Sequence, residues 1–390
     1  MRSFPRDPRI DFIRGIAVVS MVIQHVGGLS FLSFAFGAGA FYVSAAEVFV
    51  FLSGLVTARA ALKTAARSGS RAAAVHLLKR AVKLYALTVV LTLLALPLLE
   101  LIPLPWAQDL DLGQPVALLW SVLTLHQTGY VVDIPLMYAL LVALAALVVP
   151  LLHAGHTRLV LIASAALWLA YQFAPDRADL PWAISGNGMF PFSAWQLLFC
   201  MGLTVGHHWD TIRTTARSAS RAGLVCASGV ATLGFILLYL LDHALRLIPS
   251  EVDGLLFGKS HVGPGRIGAT LVVLAFGFLL TAASWDRLVR AVGWFVLPLG
   301  RNSLRCYVLH VPVVYGAAII LHASRQVGLV ARAEYTFLQV GALLAIWLGV
   351  RFMPPRSSHS ALTPLPIKHP AIAIEASRAA RAFALTIFRF

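Results

Sequence analysis

The stretch RIDFIRGIAVVSMVIQH, residues 9–25, decides how the whole sequence is interpreted, because it puts charged and polar side chains into an apolar run that enters a membrane. Arg14 and His25 are separated by roughly 16 Å of helical rise, about half the hydrocarbon thickness. Their spacing is close to three full turns, so both side chains lie on one side of the helix. Ionisable groups at that depth are costly and usually face the bundle interior, where they mark a functional pathway.

The composition indicates a polytopic membrane protein. Hydrophobic residues make up 59% of the 390 residues, charged residues only 12%, and the mean hydropathy is +0.81. The formal net charge is +15, but the basic residues fall in alternate loops, which is a pattern of membrane topology and not of nucleic-acid binding. No small-residue cleavage site follows the first apolar run, so we expect a retained first span.

Ten apolar runs are long enough to span a bilayer. They lie near residues 12–30, 43–62, 81–102, 131–151, 158–174, 190–208, 222–241, 267–284, 303–322 and 334–352. We therefore predict an all-α integral membrane protein, a bundle of about ten transmembrane helices over residues 1–352. The run 116–124 is too short to span and is expected to be re-entrant or interfacial.

The loop charges predict the orientation of the bundle. Lys and Arg crowd the N-terminus and the links near 59–83, 213–221 and 287–301, whereas the link 102–132 carries only Asp109 and Asp111 as charges. By the positive-inside rule both termini are cytoplasmic and His25 lies toward the outer face. The Gly- and Pro-rich link 242–266 is predicted to be the longest irregular outer loop, of a kind that often covers a site.

Residues 353–390 are predicted to form a separate cytoplasmic tail. Five prolines between 354 and 370 indicate a flexible linker, and Arg378 and Arg381 lie on one face of a short amphipathic segment. Such a segment is typical of a helix that rests on an anionic inner leaflet.

His25 and Glu47 are the leading catalytic candidates. The first span runs outward and the second returns, so Glu47 enters from the same side that His25 approaches. A His–carboxylate pair in a low-dielectric site fixes the imidazole tautomer and suits a general base for a hydroxyl acceptor. The alternative is a hydrogen-bonded pair that only holds two helices together.

Donor-side candidates lie toward the cytoplasmic face. Ser53, next to Gly54, favours close helix approach, although small residues would also admit a slender pantetheine-like chain. Arg80 flanks the third span, where topology alone explains a cation. Arg14 and Arg305 fall inside apolar runs, so an anionic phosphate ligand is a second interpretation of these cations.

Acceptor-side candidates are expected at the outer face with His25. The segment 125–138 leads into the fourth span and carries His126, Asp133 and Tyr138. Asp133 before Pro135 is equally typical of a helix cap. Trp195, in the segment 190–199, belongs either to an interfacial aromatic belt or to a carbohydrate-stacking surface.

The sequence resembles the OpgC membrane proteins, which are named for succinylation of osmoregulated periplasmic glucans and are related to type 3 membrane acyltransferases. The resemblance rests on RIDFIRGIA (9–17), AAEVFVFLSG (45–54), DIPLMY (133–138), FSAWQLLF (192–199) and GRNSL (300–304), in family order. The wider group also has a basic residue at the spacing that Arg14 keeps from His25. This chain has Gln24 where the OpgC pattern has Asp.

The resemblance implies an O-acyltransferase of the bacterial inner membrane. Succinyl- or acetyl-CoA is then the cytoplasmic donor, and a hydroxyl of a periplasmic or cell-envelope glycan is the acceptor. In this scheme His25 is the general base or carries the acyl group briefly, Glu47 orients it, and Arg14 binds the anionic part of the donor. No zinc-type Cys/His spacing occurs, so no metal is expected. A transporter or flippase for an envelope carbohydrate or another anionic substrate is the alternative, and a homo-oligomer is left open.

Overall fold

A computed structural model describes residues 6–37, 41–101, 114–129, 131–218, 220–323 and 328–352. Within these ranges the chain is helical and contains no β-strand, only an isolated bridge between Gln127 and Ser185. The all-helical prediction is therefore confirmed. The predicted tail, 353–390, and the acidic residues Asp109 and Asp111 lie outside the described residues.

Sixteen α-helices occur in the described ranges. They are α1 (Pro8–Val26), α2 (Phe31–Ala35), α3 (Ala45–Leu101), α4 (Pro115–Leu123), α5 (Asp133–His153), α6 (Thr157–Phe173), α7 (Pro175–Ala178), α8 (Phe192–His207), α9 (Trp209–Ser218), α10 (Arg221–Leu245), α11 (Ser250–Phe257), α12 (Pro264–Ala283), α13 (Trp285–Leu288), α14 (Trp294–Arg301), α15 (Ser303–Ala323) and α16 (Gly328–Phe352). A π-helical turn, Val289–Gly293, joins α13 to α14.

Six of the described helices are long and apolar enough to cross a membrane, namely those at Ala45–Ala95, Asp133–His153, Arg221–Leu245, Pro264–Ala283, Ser303–Leu321 and Arg332–Phe352. The first of these, in α3, includes both the second and the third predicted spans. Gly69, whose φ of 85° and ψ of 163° break the helix, lies between the two spans, inside the basic link near 59–83. Three other predicted spans correspond to α1, which carries three charged residues, and to the shorter α6 and α8. The total of ten spans stays a prediction.

Helix α1 begins and ends four residues earlier than the predicted span 12–30. Asp7 caps it by accepting a hydrogen bond from the Arg9 backbone N–H at 3.1 Å, and Pro8 occupies the first turn. Gly27 ends the helix with a φ of 80°. His25 therefore lies in the last turn of α1, at the end opposite to Arg14.

Small residues bring the central helices into backbone contact. A Cβ added at Gly54 of α3 would collide with the Phe199 carbonyl oxygen of α8, and one at Gly202 would collide with the Phe51 carbonyl oxygen. The close-approach interpretation of the Ser53–Gly54 segment is thus confirmed. Helix α3 also packs against α5, and α1 packs against α14 and α15.

The link 242–266 is more ordered than predicted, because it contains α11 and is hydrogen-bonded to α6 near its end. Trp168 Nε1 donates to the Val262 carbonyl oxygen at 3.0 Å, and Gln172 Nε2 donates to that of His261 at 2.7 Å. The short run 116–124 forms α4, with Val116 and Trp120 exposed.

Candidate functional site

His25 meets a second histidine in the bundle interior. Its Nδ1 lies 2.7 Å from Nε2 of His310, a fully buried residue in the middle of α15. The ring centroids are 4.9 Å apart, with an interplanar angle of 36°. Helices α1 and α15 pack together and so fix this geometry.

The hydrogen-bond network assigns the tautomers of both rings. His310 Nδ1 lies 3.2 Å from the Tyr307 carbonyl oxygen, which can only accept, so Nδ1 of His310 carries the proton. Neutral His310 then has a bare Nε2 that accepts from the Nδ1–H of His25. Neutral His25 is left with an unprotonated Nε2, the lone pair that a general base or a nucleophile requires.

The predicted hydrogen bond between His25 and Glu47 is wrong. Glu47 is fully buried, and its Oε1 accepts from Arg266 Nη1 at 2.8 Å, while its Oε2 accepts from the Ser44 hydroxyl at 2.6 Å. Arg266 also donates through Nε to the Phe257 carbonyl oxygen at 2.7 Å. A buried carboxylate requires such a charged partner. Arg266, at the start of α12, is that partner, and His25 of α1 is not.

A basic cavity of about 560 Å³ lies at the other end of α1. Two aspartates and eight basic side chains line it, the latter being Arg6, Arg14, Arg59, Lys63, Arg80, Lys83, Arg301 and Arg305. Asp11 is paired with Arg6 at 2.6 Å, so it is already neutralised. The cavity therefore keeps a strongly positive lining, which suits a polyanionic ligand.

Three of the four predicted donor-side residues converge on this basic cavity. Arg14, Arg80 and Arg305 line it together, although they are far apart in sequence. Arg14 donates through Nη2 to the Ser303 hydroxyl, and Arg80 Nη1 lies 3.5 Å from the Thr57 hydroxyl. Ser53 is not among the lining residues.

Of the acceptor-side candidates, Asp133 lies at the His25 end of the bundle and His126 has no contact that ties it to His25. Asp133 is the first residue of α5, and its Oδ1 accepts from the Ile134 N–H, but Val132 is the N-cap, so the helix-cap interpretation is wrong. Lys259 acts electrostatically on both Asp133 and His25. His126 is exposed and hydrogen bonds Thr124 at 2.8 Å instead.

Tyr138 and Trp195 do not form an acceptor surface. The charges that act on the buried Tyr138 hydroxyl belong to Arg14 and Arg80, so it lies toward the basic cavity. Trp195 is fully buried, its Nε1 donates to the Met189 carbonyl oxygen at 3.2 Å, and its ring packs against Phe190. Carbohydrate cannot stack on a ring with no exposed face.

Sequence reasoning missed His310 and Arg266. His310 satisfies the same rule that selected His25, since it is an ionisable residue inside the apolar run 303–322. Arg266 falls in the predicted link 242–266, because the predicted eighth span starts at residue 267, three residues after the observed start of α12 at Pro264. Among the described residues no group of three His, Cys, Asp or Glu side chains could hold a metal ion.

Comparison with known proteins gives one match. A family model described as OpgC protein covers residues 6–353, which is most of the chain, and this confirms the resemblance found in the sequence. No curated protein and no solved structure matches.

Proposed function

The chain belongs to the OpgC family, and from this premise we propose that it is a membrane O-acyltransferase with acyl-CoA as donor and a glycan hydroxyl as acceptor. The family indicates an acyltransferase-like function on glucans. The donor, a succinyl or acetyl thioester, and its cytoplasmic origin are parts of our proposal. So are the periplasmic or envelope location of the acceptor and the bacterial inner membrane as the site of action.

The contact of His25 Nδ1 with His310 Nε2 at 2.7 Å is the observation that carries this proposal, because it leaves Nε2 of neutral His25 as a free lone pair. His25 Nε2 takes the proton from an acceptor hydroxyl as that oxygen attacks the acyl carbonyl carbon, and the thiolate of CoA leaves. While His25 is protonated, its Nδ1–H still donates to His310 Nε2, so the imidazolium keeps a hydrogen-bond acceptor at 2.7 Å. His310 positions His25 in the way that we had expected of Glu47.

The basic cavity supports an acyl-CoA donor. CoA carries several phosphate charges, and guanidinium groups bind phosphate oxygens in pairs. Arg14 and Arg305 reach the cavity from the same two helices, α1 and α15, that hold His25 and His310. In this proposal α1 and α15 therefore each carry one residue that binds the donor's phosphates and one histidine of the catalytic pair.

The proposed orientation places the basic cavity in the cytoplasm, with both termini, and His25 toward the periplasm. Single cysteines at position 71 and at position 114 test this in intact cells. The expected result is labelling of 114 by an impermeant maleimide and labelling of 71 only after permeabilisation. The reverse pattern would overturn the orientation and the donor side.

The activity is tested with purified protein in liposomes. Radiolabelled succinyl-CoA or acetyl-CoA is supplied on one side and a glucan on the other, and label in the glucan is measured. We expect transfer by the wild type, a loss of roughly 10²–10⁴-fold in His25→Ala, and normal transfer in His156→Ala, which changes an exposed histidine. Glucan transport without acylation would favour the transporter alternative and contradict the proposal.

A further inference from the structure

An apolar groove, with a lining that differs from that of the basic cavity at all but Ile10, opens between α10 and the centre of the bundle. Its volume is about 360 Å³, and its walls come from α1, α3, α8, α9, α10 and α12. Aliphatic and aromatic side chains line it, among them Ile13, Leu55, Val225, Leu274 and Phe278. Helix α10 packs mainly against α12, so it leaves the groove open toward the surrounding bilayer.

The groove leads into a second, polar compartment of about 360 Å³. Arg9, Trp209 and Arg213 line both spaces, and Trp285 adds a second indole to the polar one. Tryptophan is enriched where hydrocarbon gives way to lipid headgroups. The two connected compartments thus reproduce the polarity change at a membrane surface.

Two cations at this junction, Arg213 and Arg221, form no ion pair with a carboxylate among the described residues. Burial would raise the pKa of Asp7, but hydrogen bonds and charge from Arg9, together with charge from Arg213, lower it overall, so Asp7 stays ionised. It pairs with Arg9 at 2.7 Å and acts on Arg213 only beyond ion-pair distance. Among the described residues, no carboxylate lies within ion-pair distance of Arg213 or Arg221. Arg213 is shared by both compartments, and Arg221 is at the first turn of α10.

We propose that this groove binds one anionic phospholipid, with an acyl chain between α10 and α3 and its phosphate at Arg213 and Arg221. An apolar slot open to the bilayer suits a hydrocarbon chain. Two guanidinium groups at its polar end, each without a carboxylate within ion-pair distance among the described residues, supply the charge that an anionic headgroup needs. The basic cavity proposed for acyl-CoA adjoins the polar compartment, sharing Arg6, Asp7 and Arg59 with it, but neither Arg213 nor Arg221 lines that cavity.

The test measures lipid binding by the full-length protein in detergent. After delipidation, phosphatidylglycerol or phosphatidylcholine is added, and thermal stability and the number of bound lipids in native mass spectra are recorded. We expect one tightly bound phosphatidylglycerol, and at least about tenfold weaker binding in the Arg213→Gln/Arg221→Gln double variant. The matched control, Arg67→Gln/Arg71→Gln, removes the same charge outside both compartments and should bind normally.

Further arms identify the occupant. Ala275→Trp fills the groove without touching the arginines and should also abolish lipid binding. Equal stabilisation by phosphatidylcholine would overturn the proposal, because that lipid has no net headgroup charge. Equal stabilisation by inorganic phosphate alone would also overturn it, because phosphate has no acyl chain. Displacement of the lipid by CoA would instead assign the groove to the donor, and equal losses in both double variants would show only a general charge effect.

Discussion

Replacing His310 by alanine tests the tautomer assignment of His25, because His310 Nε2 is the acceptor that holds the proton on His25 Nδ1. Without it, the proton can move to Nε2, and a protonated Nε2 cannot accept from the glycan hydroxyl. His310 is fully buried, so its removal leaves His25 Nδ1–H without the acceptor that the bundle interior supplies.

The size of the effect follows from the state of His25 in the transition state. There His25 is cationic, and a hydrogen bond that involves a charged group is worth about 1.5–3 kcal/mol. Its loss should lower turnover by roughly 10–150-fold. Removal of the base itself in His25→Ala should cost more, roughly 10²–10⁴-fold.

His310→Gln separates positioning from proton transfer. The glutamine carbonyl oxygen can accept from His25 Nδ1–H, so most of the activity should return relative to His310→Ala. The assay is single-turnover acyl transfer in liposomes, with equal protein insertion checked for each variant. If His310→Gln were inactive and His25→Gln active, the roles of the two histidines would be reversed and our assignment refuted.

Three further predictions concern the surrounding structure. Glu47→Gln should lower the free energy of unfolding by about 3–5 kcal/mol in denaturant titrations, because it leaves Arg266 charged and buried, and Glu47→Gln/Arg266→Gln should recover part of this loss. Gly54→Ala should destabilise by about 1–3 kcal/mol through collision with the α8 backbone, whereas Gly234→Ala, with nothing within 4 Å of its Cβ, should not. Arg14→Lys should weaken apparent donor affinity about tenfold in steady-state kinetics with little change in turnover, since lysine lacks the planar fork, and a loss confined to turnover would contradict this.

The helical architecture was predictable from local sequence. The length of an apolar run fixes a membrane helix, and the Ser68-Gly69-Ser70 segment marks the break in α3. The convergence of Arg14, Arg80 and Arg305 also followed, since cations inside or beside apolar runs need an anionic partner or water.

The partners of the buried ionisable side chains were not predictable from local sequence. His25 and His310 are 285 positions apart, and Glu47 and Arg266 are 219 apart, so helix packing alone decides these partners. Trp195 shows the same limit, because an aromatic residue near a span end has the same local pattern whether it faces lipid, sugar or the core. A rule that named every ionisable residue at membrane depth would have included His310, but not its partner.

The length of α3 has a kinetic consequence. Its two parts, residues 45–68 and 70–101, are roughly 36 and 48 Å long, whereas the hydrocarbon layer is about 30 Å thick. In the proposed orientation the hairpin at Gly69 lies on the cytoplasmic side, so the excess length carries exposed cations, including Arg67 and Arg71, into the aqueous phase. Such a projecting positive field attracts polyanions within a Debye length of about 8 Å at physiological ionic strength. Added salt should consequently slow donor association while leaving turnover at saturating donor unchanged.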